Sequence, residues 1–192
     1  GQDRAPDTTL PTPDGQSGPS GPGGDPAYLH GVVTTTEPLA AQVGAAVLGD
    51  GGNAVDAAAA VLFMLNVVEP QGSGIGGGGF MMIHLAAKKE TVIVSSRERA
   101  PAAATPTMFV SQPDFGLRAT SGYAVGVPGA VRGVALALER WGTLSLADAL
   151  QPAIEAAEHG VIVSARLAAE IALPGLSAES AASPVRPAYD VA

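Results

Sequence analysis

The most regular pattern of hydrophobic positions in the chain runs from Ala54 to Val68, with few polar residues after Asp56. A helix that is apolar almost all round is typical of a buried position. Asn53 stands directly before this stretch and is a favoured helix-capping residue, while glycines within 49–52 interrupt the chain ahead of it. The pattern therefore predicts a buried helix over this stretch, beginning at an Asn53 cap.

Apolar residues also recur at helical spacing ahead of that stretch, from Leu39 to Val47. Proline is tolerated in the first turn of a helix, so a helix is predicted to open at Glu37-Pro38. The β-branched run at 31–35 predicts a short strand before it.

The region after residue 130 is predicted to be helical in several pieces. Apolar positions recur at helical spacing, glycines mark two helix ends, and a proline and a serine mark two helix starts. The predicted pieces are a helix from Ala130 to Trp141 with Gly142 as its stop, a helical turn over 144–150, a helix from Pro152 to Glu158 with Gly160 as its C-cap, and a last helix over Ala165–Leu173 capped by Ser164.

Two strand-like runs, Gly78–Ala87 and Thr91–Ser96, lie between the helical regions and are joined by the polar turn Lys88-Lys89-Glu90. Prolines at 101–106 break regular structure, and 113–122 is predicted to be a loop. Helix-rich segments on either side of a hairpin do not alternate as βαβα units. The order of elements therefore favours an α+β fold over a doubly wound parallel sheet.

The composition narrows the class of protein. Hydrophobic residues make up 46% of the 192 residues but aromatic residues only 4%, which favours closely packed helices with Ala, Val and Leu in the core. The net charge of −8 argues against unaided binding to nucleic acid or anionic membranes. No apolar run reaches the roughly 20 residues that span a bilayer, and the absence of cysteine excludes disulfides and thiolate chemistry.

The first 27 residues differ from the rest, because they are rich in Pro, Gly, Ser, Thr and Asp and nearly free of large apolar side chains. Such a segment buries too little surface to offset the entropy lost on ordering. We expect a tail or linker over 1–27 and one domain over 28–192.

Six glycines fall within Gly72–Gly79, and the spacing G-x-G-x-x-G occurs there twice. Dinucleotide binding by that motif needs a strand before it and a helix after it, whereas here the predicted helix precedes and the strand follows. The inverted context argues against a nucleotide loop. Two interpretations stay open: a packed backbone crossing without a functional role, or a cluster of backbone N–H groups beside an active site.

Arg97 follows the second predicted strand and precedes a proline-interrupted loop. The end of a strand can hold a side chain by its backbone while leaving the tip accessible. The planar guanidinium matches a carboxylate through two parallel hydrogen bonds and stays charged. A substrate-carboxylate site at Arg97 is one interpretation, and a solvated charge group with Glu98 and Arg99 is the other.

The three histidines, His30, His84 and His159, are far apart and lack metal-binding spacing. His84 lies in an apolar strand and is predicted to be a core or edge histidine with a hydrogen-bond partner. No nucleophile, base and oxyanion-donor set can be assembled from the chain, and no metal site or cofactor is implied. By itself the chain is predicted to be catalytically incomplete.

Several short motifs follow one another in an order that is far more specific than any one of them. They are Pro38-Leu39-Ala40, Gly51-Gly52-Asn53-Ala54-Val55-Asp56-Ala57-Ala58, Val68-Glu69-Pro70-Gln71, Ser73-Gly74-Ile75-Gly76-Gly77-Gly78, Arg97-Glu98 with Ala100-Pro101, Val125-Gly126-Val127-Pro128-Gly129 and Trp141-Gly142-Thr143-Leu144. In this order they resemble the N-terminal half of the large subunit of γ-glutamyltranspeptidase, over roughly residues 30–173.

The resemblance implies an N-terminal-nucleophile hydrolase with an αββα sandwich, of which this chain is an incomplete large-subunit portion. In this family a precursor cleaves itself to free an N-terminal threonine on a small subunit. That threonine attacks the γ-glutamyl amide with its own α-amino group as base, and water or an amino acid or peptide then accepts the acyl group. The arginine at the position of Arg97 binds the substrate α-carboxylate.

Two features depart from the family pattern. Ser95 stands where the family often has aspartate, two residues before the arginine. The large subunit is also expected to continue for a comparable length beyond Ala192, and the nucleophile is expected on a second chain. A related acylase acting on glutaryl or cephalosporin-type substrates and a catalytically inactive binding module therefore stay open as alternatives. The resemblance and the tail imply a periplasmic or secreted location.

Overall fold

The computed structural model describes residues 31–111 and 114–172. Those residues form α-helices on either side of one antiparallel hairpin, so the predicted α+β class is confirmed. The elements are α1 (Pro38–Gly49), α2 (Ala54–Val68), β1 (Phe80–Leu85), β2 (Glu90–Ser95), α3 (Phe115–Thr120), α4 (Ala130–Trp141), α5 (Leu146–His159) and α6 (Ala165–Ile171). The predicted tail, His30 and the region from Leu173 onward lie outside the described residues.

Helix α2 begins at the predicted Asn53 cap and keeps its predicted bounds. Asn53 Oδ1 accepts hydrogen bonds from the backbone N–H groups of Val55, at 2.8 Å, and Asp56, at 3.2 Å. In return, Asp56 Oδ2 accepts the N–H of Asn53 at 2.8 Å. This reciprocal capping box satisfies N–H groups that the first helical turn would otherwise leave unpaired.

Helix α2 is the centre of the core because it is buried on two faces. One face carries Ala59 and Phe63 and packs against the hairpin, α4 and α5. The other face carries Ala60 and Met64 and packs against Ala40 and its neighbours on α1. The nearly all-apolar pattern of this helix is thereby explained, since both faces are withdrawn from water.

Strands β1 and β2 pair antiparallel from Phe80 opposite Ser95 to Leu85 opposite Glu90. Strand β1 is shorter than predicted, and β2 has the predicted length but begins and ends one residue earlier. A turn of 3₁₀-helix at 86–88 and a left-handed Lys89 (φ 53°) form the connection, so the predicted polar turn begins earlier than expected. None of the described helices is long and apolar enough to cross a bilayer.

The predicted strand at 31–35 is wrong, because these residues pair with no strand among those described. The Val33 side chain instead packs onto α1, where a Cβ added at Gly44 would lie 2.8 Å from its Cγ1. The β-branched run is therefore explained by packing against a helix rather than by sheet pairing.

The predicted loop at 113–122 is also wrong in part, since α3 occupies most of it. The Arg118 N–H donates to the Asp114 carbonyl at 3.2 Å, and its guanidinium lies 5.9 Å from the centre of the Phe115 ring. Local hydrogen bonds and this side-chain contact at i, i+3 spacing stabilise a short helix. The sequence shows no long apolar periodicity here, so the helix was not predicted.

The C-terminal helices follow the prediction except at Pro152, which lies inside one continuous helix instead of starting a second. Its missing N–H removes one helical hydrogen bond. Ala149 and Ala153 on either side of it are buried against the core, which holds both halves on one axis. Gly142 and Gly160 end their helices as predicted, and Ser164 Oγ accepts the Leu167 N–H at 3.2 Å, but α6 ends at Ile171.

Candidate functional site

The glycine-rich segment after α2 crosses the end of β2 in close backbone contact. Ser96 donates its N–H to the Gly79 carbonyl at 2.9 Å. The Gly77 carbonyl accepts the N–H groups of Gly129 and Ala130, both at 3.0 Å, at the start of α4. The segment thus joins β2 to α4, and the predicted order of a helix before and a strand after the glycines is confirmed.

Glycine is required at this crossing because Ser96 is enclosed on several sides. A Cβ at Gly78 or at Gly129 would overlap with the Ser96 carbonyl oxygen, and one at Gly133 would lie 2.5 Å from the Ser96 Cβ. Side chains cannot approach backbone atoms so closely. The glycines therefore allow β2, the glycine segment and α4 to meet at one point, directly before Arg97.

Arg97 lies between two backbone anchors. Ser96 is fixed by the glycine crossing, and Arg99 forms an antiparallel bridge with Val127, with N–H···O distances of 2.8 and 3.2 Å. The Arg97 side chain is nonetheless 58% exposed. The arrangement of a fixed backbone and an accessible tip is the one expected from its place after a strand.

Arg97 lines a cleft with a volume of about 600 Å³. Cationic, apolar and aromatic side chains line this cleft, and no Ser, Thr, Lys or His is among its described lining residues. The cleft can therefore bind an anion next to an apolar group, while its described lining supplies neither a Ser or Thr hydroxyl nor a Lys amine as a nucleophile. The lining residues are Gly76, Arg97, Glu98, Arg99, Ala100, Pro101, Ala104, Met108, Tyr123, Ala124, Val125 and Gly126.

Glu98 lines both this cleft and a smaller cavity of about 250 Å³ that also borders Asn66 and Ser96. Its Oε2 lies 3.3 Å from Arg97 Nη1, within ion-pair distance, but it accepts no hydrogen bond from the described residues. Gly126 makes room for the Glu98 side chain, since a Cβ there would lie 2.8 Å from the Glu98 Cβ. Glu98 therefore partly balances the charge of Arg97.

Asp56 is a fully buried carboxylate that the sequence analysis did not single out. Its Oδ1 accepts the N–H groups of Thr143, at 2.7 Å, and Leu144, at 3.0 Å. Its Oδ2 accepts the Thr143 hydroxyl at 2.8 Å in addition to the Asn53 N–H. Burial raises the pKa of this carboxyl, but the hydrogen bonds outweigh burial and hold the pKa below its ordinary value of 3.8.

The Asp56 network ties the start of α2 to the turn between α4 and α5. Asn53 Nδ2 also donates to the Trp141 carbonyl at 2.7 Å, at the end of α4. The sequence signal for this role was available, since Asp56 occupies the third position of a capping box within an otherwise apolar helix.

Glu69 is a second buried carboxylate, and it fixes the start of the glycine segment. It forms an ion pair with Arg166 of α6 at 2.7 Å and accepts a hydrogen bond from the Thr36 hydroxyl. Its carbonyl accepts the N–H groups of Gly72 and Ser73, both at 3.0 Å. Its side chain is 6% exposed, so it holds three parts of the chain together from within the core.

The two histidines within the described residues, His84 and His159, do not line the cleft. His84 lies at an exposed position of β1, where its Nδ1 is 3.0 Å from the Thr91 hydroxyl, so the prediction of an edge histidine with a partner is confirmed. His159 contacts the Glu155 carbonyl at 2.9 Å in the last turn of α5. Within 31–111 and 114–172, no three His, Asp or Glu side chains converge on one point.

Fold and site together define an α+β chain with an arginine-lined cleft beside a glycine crossing. A family model described as Gamma-glutamyltranspeptidase matches residues 40–184, and the chain belongs to this family. The resemblance inferred from the ordered motifs is thereby confirmed.

Individual relatives agree with the family. The glutathione hydrolase proenzyme of Bacillus subtilis (strain 168) is 51% identical over 145 residues, which cover 73% of this chain and 25% of that protein. The crystal structure of Helicobacter pylori gamma-glutamyltranspeptidase superimposes with a TM-score of 0.69 at 42% identity, covering 76% of this chain and 42% of that one. The chain thus spans about a quarter of the curated relative's length.

An acylase is also among the structural relatives. The crystal structure of cephalosporin acylase from Bacillus halodurans superimposes with a TM-score of 0.72 at 34% identity, covering 82% of this chain and 30% of that one. The fold of this chain is therefore similar to those of proteins whose names refer to different substrates.

Proposed function

We propose that this chain supplies the substrate-carboxylate site of an enzyme that hydrolyses or transfers the γ-glutamyl group of glutathione-like compounds. In this proposal Arg97 binds the α-carboxylate of the γ-glutamyl group. The observation that carries it is the position of Arg97, whose backbone is anchored on both sides while its guanidinium opens into the cleft.

The chemistry of the Arg97 contact follows from the shape and charge of the guanidinium. Its planar fork donates two parallel hydrogen bonds to a carboxylate, and such a charge-assisted pair contributes roughly 2–4 kcal/mol where water is displaced. Glu98 at 3.3 Å limits the net positive charge at this point and restricts where the guanidinium can lie. Both effects favour a bound carboxylate over a less directional anion.

The nucleophile is proposed to come from a second chain, the small subunit of the same precursor. Its N-terminal threonine hydroxyl attacks the γ-carbonyl carbon, and the α-amino group accepts the hydroxyl proton. The C–N bond of the amide then breaks, the leaving amine takes that proton, and an acyl ester remains. Water or an acceptor amino acid or peptide cleaves this ester. The absence of Ser, Thr and Lys from the described cleft lining supports this division of roles.

The outer face of the hairpin supports the proposal of a partner subunit. Phe80, Met82 and Ile93 are 69%, 72% and 61% exposed, on the opposite side from the buried Ile83 and Val94. Apolar side chains of this size on one sheet face are typical of an interface. We propose that a second sheet covers them and completes the αββα sandwich.

A related acylase is the second candidate function, favoured by the likeness to a cephalosporin acylase. Ser95, the last residue of β2, stands two residues before Arg97, where the family often has aspartate. A glutaryl group keeps the carboxylate for the arginine and lacks only the α-amino group, so a changed surrounding of the arginine would alter the preference between the two acyl groups. Rates measured side by side on glutaryl and γ-glutamyl amides separate the two functions, and faster glutaryl cleavage would favour the acylase.

A binding module without catalysis is the remaining alternative. Mass spectrometry of the protein purified from its source separates it from an enzyme, because the enzyme must contain a chain that begins with threonine. If no such chain copurifies and no γ-glutamyl amide is cleaved, the protein is a binding module without catalytic activity.

The experiment for Arg97 is hydrolysis of a γ-glutamyl 4-nitroanilide by the assembled two-chain enzyme. Arg97→Ala is expected to raise KM, because the charged contact to the α-carboxylate is lost. Arg140→Ala, at the far end of α4, is the matched control that removes an exposed arginine away from the cleft. An unchanged KM in Arg97→Ala would refute the proposed role.

The assembled enzyme is proposed to be periplasmic or secreted, in line with the family resemblance and the tail-like composition of 1–27. Cell fractionation with an antibody against this chain tests this location. Recovery in the cytosolic fraction alone would contradict it.

A further inference from the structure

Arg99 is a second arginine in the cleft that holds Arg97. Its backbone is fixed by the reciprocal hydrogen bonds with Val127, and its side chain is exposed and lines the cleft. It forms no ion pair with any residue within 31–111 or 114–172. Its backbone is therefore anchored by hydrogen bonds, yet its charge has no ion-pair partner in this part of the protein.

The charge balance of the cleft leaves Arg99 in excess. Glu98 is the only acidic residue of the described lining, and it lies 3.3 Å from Arg97 Nη1. The whole chain carries a net charge of −8, whereas this lining has two arginines against one glutamate and is locally positive. Such a cation attracts an anionic group of the ligand, and a guanidinium favours a carboxylate.

We propose that Arg99 binds a second carboxylate of the substrate, located on the leaving group rather than on the γ-glutamyl group. The inference rests on the proposed function, in which Arg97 takes the α-carboxylate. Arg97 and Arg99 are two residues apart, so their Cα atoms lie at most about 7 Å from each other. Two long side chains from these points can hold two carboxylates of one small molecule at once.

The substrate class follows from this pair of cations. The enzyme favours γ-glutamyl compounds whose amide nitrogen belongs to an amino acid or peptide with a free carboxylate nearby, over γ-glutamyl compounds with a neutral leaving group. The apolar part of the leaving group lies against Met108, Tyr123 and Val125, which line the same cleft.

Two chromogenic substrates that differ only in this carboxylate test the inference in the assembled enzyme. One is γ-glutamyl 4-nitroanilide, and the other is γ-glutamyl 3-carboxy-4-nitroanilide. Arg99→Gln is expected to lower the ratio of kcat/KM for the carboxylated over the neutral anilide by roughly three- to tenfold, since a partly exposed charged contact is weakened by solvent. The loss is expected to shrink as salt is raised.

Two other variants make the result specific to Arg99. Arg97→Gln is expected to lower kcat/KM for both anilides by a similar factor, because both carry the α-carboxylate. Arg140→Gln removes the same charge about 15 Å along α4 from its first residue and is expected to leave the ratio unchanged.

The outcomes distinguish the two proposals. If the wild-type enzyme cleaves neither anilide, the proposed function fails and this inference fails with it. If both anilides are cleaved and Arg99→Gln leaves their ratio unchanged, the assignment of Arg99 is overturned while the role of Arg97 stands.

Discussion

Replacing the buried Asp56 by asparagine is expected to destabilise the protein strongly although the two side chains have the same shape. The carboxylate accepts four hydrogen bonds, two on each oxygen. Asparagine replaces one oxygen by an NH₂ group. At the Oδ1 position this group would face the two N–H donors of Thr143 and Leu144. At the Oδ2 position it would face the N–H of Asn53, while the Thr143 hydroxyl can turn to accept, so at least one buried donor faces another donor. The loss of one or two bonds to a buried charged acceptor corresponds to about 2–4 kcal/mol.

Urea unfolding followed by circular dichroism measures this loss. With a slope of about 2 kcal/mol/M, the midpoint is expected to fall by roughly 1–2 M while the slope stays the same. The matched control is Asp148→Asn, because Asp148 holds the same third position of the capping box of α5 with Ser145 but is exposed. That substitution is expected to cost no more than about 1 kcal/mol.

The stability that Asp56 contributes is also expected to depend on pH. The pKa of Asp56 is lower in the folded protein than its ordinary value, so its charged form contributes stability above pH 3.8, and this contribution is lost as the pH falls through the folded-state pKa. The stability difference between wild type and Asp56→Asn is therefore expected to shrink in acid. Equal losses for Asp56→Asn and Asp148→Asn at neutral pH would show that the buried Asp56 network contributes no more than an exposed helix cap.

Two further substitutions test the glycine crossing and its anchor by urea unfolding. Gly129→Ala is expected to cost at least about 2 kcal/mol, because its Cβ would overlap with the Ser96 carbonyl oxygen. The control is Gly49→Ala at the end of α1, whose Cβ would meet nothing within 4 Å and which is expected to be neutral or to stabilise by up to about 1 kcal/mol. Equal effects of the two substitutions on stability would contradict the close packing at the crossing. Arg166→Met is expected to cost about 1 kcal/mol of stability because it removes the cation paired with Glu69. The loss is limited because the Arg166 side chain is exposed. A gain in stability would contradict a net contribution from this ion pair.

The local rules predicted much of the fold because the chain follows them closely in its centre. Asn53 and the apolar run after it fix α2 at both ends, and the glycines at 142 and 160 end α4 and α5 where expected. The hairpin was also predictable as a pair of strands, while its ends were not, since a 3₁₀ turn and the left-handed Lys89 shorten the connection.

The errors arose where tertiary packing outweighs local preference. Pro152 usually marks a helix start, but Ala149 and Ala153 bury the helix on both sides of it. The valines at 31–35 favour a strand, yet Val33 packs on the small surface left by Gly44. Neither contact can be read from neighbouring residues in the sequence.

The candidate site was predictable in part for a similar reason. Arg97 could be singled out because its chemistry and its place after a strand are local features. The cleft around it could not, since Tyr123 and Val125 come from a distant segment that the bridge between Arg99 and Val127 brings back to β2. Thr143 and Leu144, which bind Asp56, lie more than 80 residues away from it and were hidden for the same reason.

The role of Arg97 as the carboxylate-binding residue is tested most directly by comparing two acyl groups in the assembled enzyme. One substrate is γ-glutamyl 4-nitroanilide, and the other is 4-aminobutanoyl 4-nitroanilide, which differs only by the missing α-carboxylate. If Arg97 binds that carboxylate, Arg97→Gln lowers kcat/KM for the first substrate roughly 30-fold or more, equivalent to at least about 2 kcal/mol, and has little effect on the second. An equal loss on both substrates would contradict the assignment of Arg97 as the carboxylate-binding residue.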